Sequence, residues 1–236
     1  MKSRQAGFTL VEIAIVLVII GLLLGGVLKG QELINSAKVK NFATDFRNIP
    51  LFIYGYQDKF KALPGDDSAV TSTHLGATVG GVTVVAATTP ATGAARGNGV
   101  IEGAWNSSVQ TDETVLFWQH VRLAGLAAGP TTAPASGGVL DFLPKNADGG
   151  FIGITSGSST NSPITGLTGT YVVCSTSILG KYAKQLDTTM DDGNTSTGSL
   201  RAMANVTALA ATTTAASAVA SSAIDDATSY TMCMAL

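Results

Sequence analysis

The chain has 236 residues, a formal net charge of −2 and only 13% charged residues, with 27 glycines. Near-neutral charge with no basic stripe argues against nucleic-acid binding. Two histidines and two cysteines leave little inventory for an enzyme, while the residues beyond the apolar N-terminal segment suffice for one domain with a real core.

Met1 to Gly7 carries Lys2 and Arg4, and residues 8–28 then read FTLVEIAIVLVIIGLLLGGVL, with Glu12 as the single charge. At about 1.5 Å per residue, roughly 20 apolar residues span a bilayer core of about 30 Å. A carboxylate in such a segment costs about 2.5 kcal/mol or more at mid-membrane, so Glu12 reads as functional. An ordinary secretory signal has a shorter apolar stretch followed by small residues at its cleavage site. Here the small residue, Gly7, precedes the apolar stretch.

This inverted order, with Gly7-Phe8-Thr9-Leu10-Val11-Glu12 behind a basic leader, resembles the class III signal of type IV pilins and of the pseudopilins of type II secretion systems. The resemblance implies that a prepilin peptidase cuts after Gly7 and methylates the new amine on Phe8, the apolar helix staying on the mature chain. It further implies that Glu12, fifth in that chain, sits beside the N-terminal amine of a neighbouring subunit in a filament. A buried charge left unpaired is expensive and a paired one tolerable, so this contact would favour one axial register. A plain signal anchor with an incidental Glu12 is the alternative.

Helical periodicity continues through Leu33, Ile34, Ala37, Val39, Phe42, Phe46, Ile49, Phe52 and Ile53, alternating with Lys38, Lys40, Asp45 and Arg47. That is an amphipathic helix growing out of a membrane helix, running from Phe8 to about Phe60. Pro50 removes a backbone bond and predicts a kink there or a break just before it. Gly21, Gly25, Gly26 and Gly30 each weaken the helix by up to about 1 kcal/mol relative to alanine. Many pilins carry a helix-breaking proline near this place, where this chain has Lys29; any melting during assembly would fall to the glycines. Ala62-Leu63-Pro64-Gly65-Asp66-Asp67 then stops the helix and turns the chain. The division expected is 1–7 leader, 8–30 membrane and filament-core helix, 31–62 amphipathic helix, and 63–236 globular head.

Residues 68–103 are rich in Gly, Thr, Ala and Val, with one expected strand at 82–87 and a turn at Asn98-Gly99. Thr111 is the expected N-cap of a second helix with Asp112 and Glu113 in its first turn. Trp118-Gln119-His120, with Leu123-Ala124-Gly125-Leu126, also resembles a segment of pilin-like proteins that share the Leu-Pro-Gly-Asp turn. Beyond the loop at 129–138, β-prone runs fall at 151–155, 171–174 and 230–234. Residues 209–222 read as an exposed loop, a small-residue surface helix being the alternative. Short strands after helices predict an α+β fold, the long N-terminal helix packed on a small antiparallel sheet with extended loops. For an exported head, an even cysteine count supports one disulfide, Cys174 to Cys233, two buried free thiols being the alternative. The family resemblance favours the bond, since many pilins pin the C-terminal part of the head this way.

Asp187, Asp191 and Asp192, with Gly193, Asn194, Thr195 and Thr197, offer oxygen ligands of the kind calcium takes. Asp191-Asp192-Gly193 is equally an ordinary turn, and Asp66-Asp67 and Asp225-Asp226 read still more strongly as turns. His74 and His120 stand alone, and no G-x-S-x-G elbow, H-E-x-x-H or phosphate loop occurs, so the chain reads as non-enzymatic. What the resemblance implies is a homopolymer-forming subunit that works with other pilins, starts in the bacterial inner membrane and ends in an extracellular filament. A pseudopilin in a periplasmic pseudopilus, or a minor pilin acting as an adhesin or DNA-binding tip, are the alternatives.

Overall fold

The computed structural model describes residues 9–89, 96–157 and 162–236. Its first element, α1, is one α-helix from Leu10 to Phe60, 51 residues, close to 76 Å at about 1.5 Å per residue. The helix ends on Lys61, in the left-handed conformation (φ 56°), whose N–H donates to the Gln57 carbonyl. Pro50 lies inside the helix without breaking it. The break expected before Pro50 therefore does not occur. Phe46 and Ile49 before it, and Ile53 and Tyr56 after it, are all buried in the head, and that packing carries the helix past the missing bond.

The two halves of α1 differ in what surrounds them. Large apolar side chains from Leu10 to Ile34 are 46% to 88% exposed. From Val39 onward one face is buried, by Val39, Phe42, Ala43, Phe46, Ile49, Ile53 and Tyr56. The change from an all-round apolar helix to a one-faced one is what separates a membrane or filament core from a globular core.

Against the buried face lies a four-stranded antiparallel sheet of β3 (Ile152–Ser156), β4 (Tyr171–Leu179), β5 (Leu200–Ala204) and β6 (Ser229–Ala235), in the order β3-β4-β6-β5. The expected runs at 151–155, 171–174 and 230–234 supply three of these strands, and β5 is the unanticipated edge. On the two central strands Cys174 pairs directly with Cys233, and the two are joined by a disulfide across a sequence separation of 59. By the chain-entropy account a loop of this length is worth about 4 kcal/mol. A bulge in β4 lies between Ser175 and Ile178, where Ser177 takes φ 60° and its N–H is held by Asn205 Oδ1 at 2.8 Å.

An unanticipated helix, α4 (Gly180–Met190), follows β4 directly and packs against both α1 and the sheet. Its Tyr182 donates to Asn35 Oδ1 of α1 at 2.8 Å, and the Phe42 and Tyr182 rings lie 6.1 Å apart. Lys38 of α1 adds an ion pair to Asp148 at 2.6 Å. No helix spans residues 209–220, and a short 3-10 turn follows at Ser221–Ala223.

The second helix of the head, α2 (Glu113–Leu123), has Asp112 at its N-cap, one residue after the expected Thr111. Thr111 is engaged elsewhere: its carbonyl accepts from Thr88 and Thr89, and its hydroxyl meets that of Thr89 at 2.8 Å. The strand expected at 82–87 shrinks to β2 (Val82–Thr83), paired with β1 (Thr78–Val79). The ladder stops because side chains of α2 take the Val85 backbone. Gln119 Oε1 accepts from Val85 N–H at 2.9 Å, and His120 Nε2 donates to the Val85 carbonyl at 2.8 Å.

That contact also ties the Leu63-Pro64-Gly65-Asp66 turn to the Trp118-Gln119-His120 segment. Gly65 N–H donates to His120 Nδ1 at 2.9 Å, locking the ring with its proton on Nε2. Gly65 itself takes φ +91°, and a side chain there would run into the Glu113 carbonyl. His120 is fully buried, and burial holds its pKa below the usual value, so it is a neutral clamp. Between this turn and α1, Tyr56 donates to Asp67 Oδ2 at 2.7 Å. A short one-turn helix, α3 (Val139–Phe142), completes the head, the Phe142 carbonyl accepting from the buried Arg122 at 3.0 Å.

Candidate functional site

The feature that sets this chain apart is a helix half with nothing packed on it. Among the described residues α1 is the one helix long and apolar enough to cross a membrane. Length and composition alone are a weak argument, because a buried core helix meets the same test. Here the apolar half is exposed throughout, so within the isolated subunit its surface is uncovered.

Glu12 stands at the tip of that half, and it is not a bare carboxylate. Its Oε2 accepts from the Thr9 backbone N–H at 2.8 Å and from the Thr9 hydroxyl at 2.7 Å. Thr9 Oγ1 in turn accepts from the Glu12 N–H at 3.3 Å. This reciprocal pair is a capping box, which satisfies donors that the first turn of a helix otherwise leaves open. Gly7 and Phe8, the expected processing residues, lie outside the described residues. Thr9 and Glu12 both follow the expected cut, so cleavage after Gly7 preserves the box. Thr9 was not singled out by the sequence reading, although T-x-x-E at the head of an apolar run is its signature.

The three carboxylates expected as calcium ligands are brought together at the end of α4. One oxygen from each of Asp187, Asp191 and Asp192 lies within 4.8 Å of the others. Asp191 Oδ2 accepts from the Leu200 N–H at 2.8 Å. Asp192 accepts from the Asn194 N–H at 2.8 Å and from the Thr197 hydroxyl at 2.7 Å. Asp187 is fully buried, and apart from the nearby Gly193 amide, which falls short of hydrogen-bond geometry, its oxygens meet no donor among the described residues. Burial, with Asp192 and Asp191 nearby, pushes its pKa up to about 6, partly offset by the Gly193 amide. The Thr197 hydroxyl and then the Asn194 amide hold Asp192 below the ordinary carboxylate value.

The other paired aspartates serve the fold. A cleft of about 370 Å³ is lined by Lys61, Asp66, Asp67, Ser68, His74 and Tyr171, among others. Asp66 accepts from the Asn98 N–H at 3.3 Å and the Gly99 N–H at 2.8 Å, with Gly97 as a third donor. Asp67 is shared between Tyr56, the Ala69 N–H at 2.9 Å and His74 at 2.7 Å. Both carboxylates close the turn after α1, and their lone pairs are committed there. Asp225, likewise, accepts from the Ala227 N–H at 2.8 Å in an ordinary turn.

Comparison with known proteins adds one finding at the N-terminus. Residues 2–28 match the family model described as the prokaryotic N-terminal methylation motif. No curated protein and no solved structure matches the chain. The match covers Gly7, Phe8 and Glu12 together with the exposed apolar half of α1 through Leu28. The chain therefore carries, over residues 2–28, the class III signal that type IV pilins and pseudopilins share.

Proposed function

We propose that the mature chain is a structural subunit of a type IV pilus-like filament, built into it through the N-terminal half of α1. The observation that carries this reading is the exposed apolar helix from Leu10 to Ile34, headed by the capped Glu12 within the matched motif. In the membrane, lipid covers that surface. In a filament, the same surface of other subunits covers it. Because one end of a subunit meets the flank of the next, the contact is heterologous and open-ended, which generates a fibre and not a closed ring.

Membrane insertion precedes assembly in this account, and a prepilin peptidase removes residues 1–7 and methylates Phe8. The partners are further copies of this chain and other pilins. The head, with its disulfide and hydroxyl-rich loops, faces outward. Its role is mechanical, with no catalytic step assigned to any residue.

Mass spectrometry of fibres sheared from the cell surface tests the proposal. The expected result is this chain as an abundant component whose first peptide begins at methylated Phe8. A processed chain retained in the cell envelope would indicate a pseudopilin. Trace amounts in fibres composed of another subunit would indicate a minor tip component.

A further inference from the structure

We infer that Tyr54 and Arg47 of one copy of this chain enter a groove between α1 and the 144–147 loop of the next. The contact rests on the filament reading above and specifies how neighbouring heads join. Two cavities, of about 140 and 270 Å³, adjoin along α1 and share Asp45 and Lys145. The inner one is walled by Ile49, Phe52, Trp118, Ala128, Pro144 and Ile152. That is room for one aromatic ring, since an apolar cavity of about 150 Å³ holds benzene.

The groove holds polar groups that the isolated subunit leaves unmatched. Trp118 is 2% exposed, and its indole N–H has no acceptor among the described residues. A buried donor without a partner is costly, so an incoming acceptor is favoured there. Asp45 is half-buried, and burial pushes its pKa up to about 6 with no donor or cation pulling it down. Lys145 lines the same cavities but makes no ion pair with it. The site therefore fits an aromatic ring that bears an acceptor, with a cation beside it.

The other side of α1 carries those groups. Leu51 and Tyr54, 63% and 64% exposed, are large apolar side chains that the head leaves uncovered. Arg47, also exposed, shares their face at the i, i+4, i+7 spacing. At 3.6 residues per turn, that face lies about 140° around the helix from Asp45, Asn48, Ile49 and Phe52. A knob and a groove on different sides of one helix make a heterologous contact, which repeats without closing. The inner cavity lies along α1 residues 45–52 and the outer along 41–45, and Tyr54 stands two turns, about 10 Å, above Arg47. Between parallel helices, Tyr54 enters the inner cavity as Arg47 reaches the outer one, beside Asp45. The tyrosine hydroxyl then accepts from the Trp118 N–H, and the guanidinium pairs with the Asp45 carboxylate. An antiparallel neighbour would carry Arg47 away from the outer cavity.

Charge exchange in the full chain tests the contact, with incorporation read as the ratio of sheared to cell-associated chain. Asp45→Arg and Arg47→Asp are each expected to lower it about fivefold, and the two together to restore it to within about twofold of wild type. Rescue inside one subunit is excluded, because helical residues two apart do not face each other. Tyr54→Ala should lower incorporation similarly while leaving the Tm of the detergent-solubilised chain unchanged, because the side chain is exposed in the subunit. In fibres carrying both Tyr54→Cys and Ala128→Cys, oxidation is expected to give a ladder of covalent oligomers that neither single variant gives. Charge exchange without rescue, or such fibres without a ladder, would overturn the contact and leave the filament reading standing. Absence of the wild-type chain from the fibres would overturn the filament reading, and the contact with it.

Discussion

Replacing Glu12 with alanine is expected to leave cleavage after Gly7 and methylation of Phe8 intact while removing the chain from fibres. Incorporation, measured as the ratio of sheared to cell-associated chain on an immunoblot, should fall at least about tenfold. Losing one partner of a buried ion pair costs about 3–5 kcal/mol, more than enough for that effect. Two roles coincide at this residue, however. Glu12 caps its own helix through Thr9, and in the proposed filament it also meets a neighbour's amine. Glu12→Gln separates them, because glutamine serves in a capping box but carries no charge. If the charge is what registers the subunits, Glu12→Gln fails to assemble as Glu12→Ala does. Normal incorporation of Glu12→Gln would reduce the residue's role to capping. Thr9→Val removes the hydroxyl from the box while leaving its N–H, and a partial loss of incorporation is the expected result.

The head is expected to lose stability as pH rises from about 4.5 towards 8, and Glu113→Gln is expected to abolish most of the loss above about pH 6, the part below it being shared with Asp187 and Asp45. Glu113 is 3% exposed and accepts from the Glu102 N–H at 2.7 Å. Burial is the largest influence on it; the Glu102 amide pulls the other way, and Asp66, Glu102 and Asp112 add repulsion. The net effect pushes its pKa from 4.5 up to about 8. A pKa raised in the folded state means that the native protein holds the proton more tightly than the unfolded chain. Its stabilising contribution is thus complete below the unfolded value and is lost progressively as pH climbs through the folded one. Each pH unit in that window is worth about 1.4 kcal/mol, so the total loss is roughly 5 kcal/mol. Glutamine keeps the carbonyl that accepts from Glu102 and cannot ionise. Denaturant midpoints of the full chain in detergent at pH 5, 7 and 9 check this prediction. A wild-type slope that persists in Glu113→Gln would place the titrating group elsewhere.

The N-terminal half of the molecule was the more legible in sequence, because its signals are local. A 3.6-residue period, a glycine before an apolar run and a proline-glycine turn each act within a few residues, and α1 ends at Phe60 as expected. The direct pairing of Cys174 with Cys233 on adjacent strands follows from two β-prone runs that the pattern did show. What escaped detection depends on distant partners. The α4 helix follows β4 with no intervening turn residues, and its buried face of Tyr182, Ala183, Leu186 and Asp187 includes a carboxylate. Residues 200–204 read as Leu-Arg-Ala-Met-Ala, whose composition favours a helix, yet pairing with β6 makes them a strand. Val84 to Ala87 has strand chemistry, but Gln119 and His120 claim the Val85 backbone from 34 and 35 residues away. In the candidate site, the clustering of three aspartates was visible, whereas the burial of Asp187 was not. Burial sets it apart from the exposed Asp225, while Asp66 and Asp67, equally buried and alike in sequence, are satisfied by donors of the fold.

Helical reconstruction of the native fibre by electron cryomicroscopy tests the assembly through α1 most directly. The account predicts that Leu10 to Ile34 of every subunit lies along the fibre axis, packed on the same segment of its neighbours. The sheet bearing the Cys174–Cys233 bond should lie at the outside, and the Glu12 carboxylate should fall within ion-pair distance of an adjacent subunit's Phe8 amine. A fibre core formed by another protein, or a Glu12 with no amine beside it, would contradict the account.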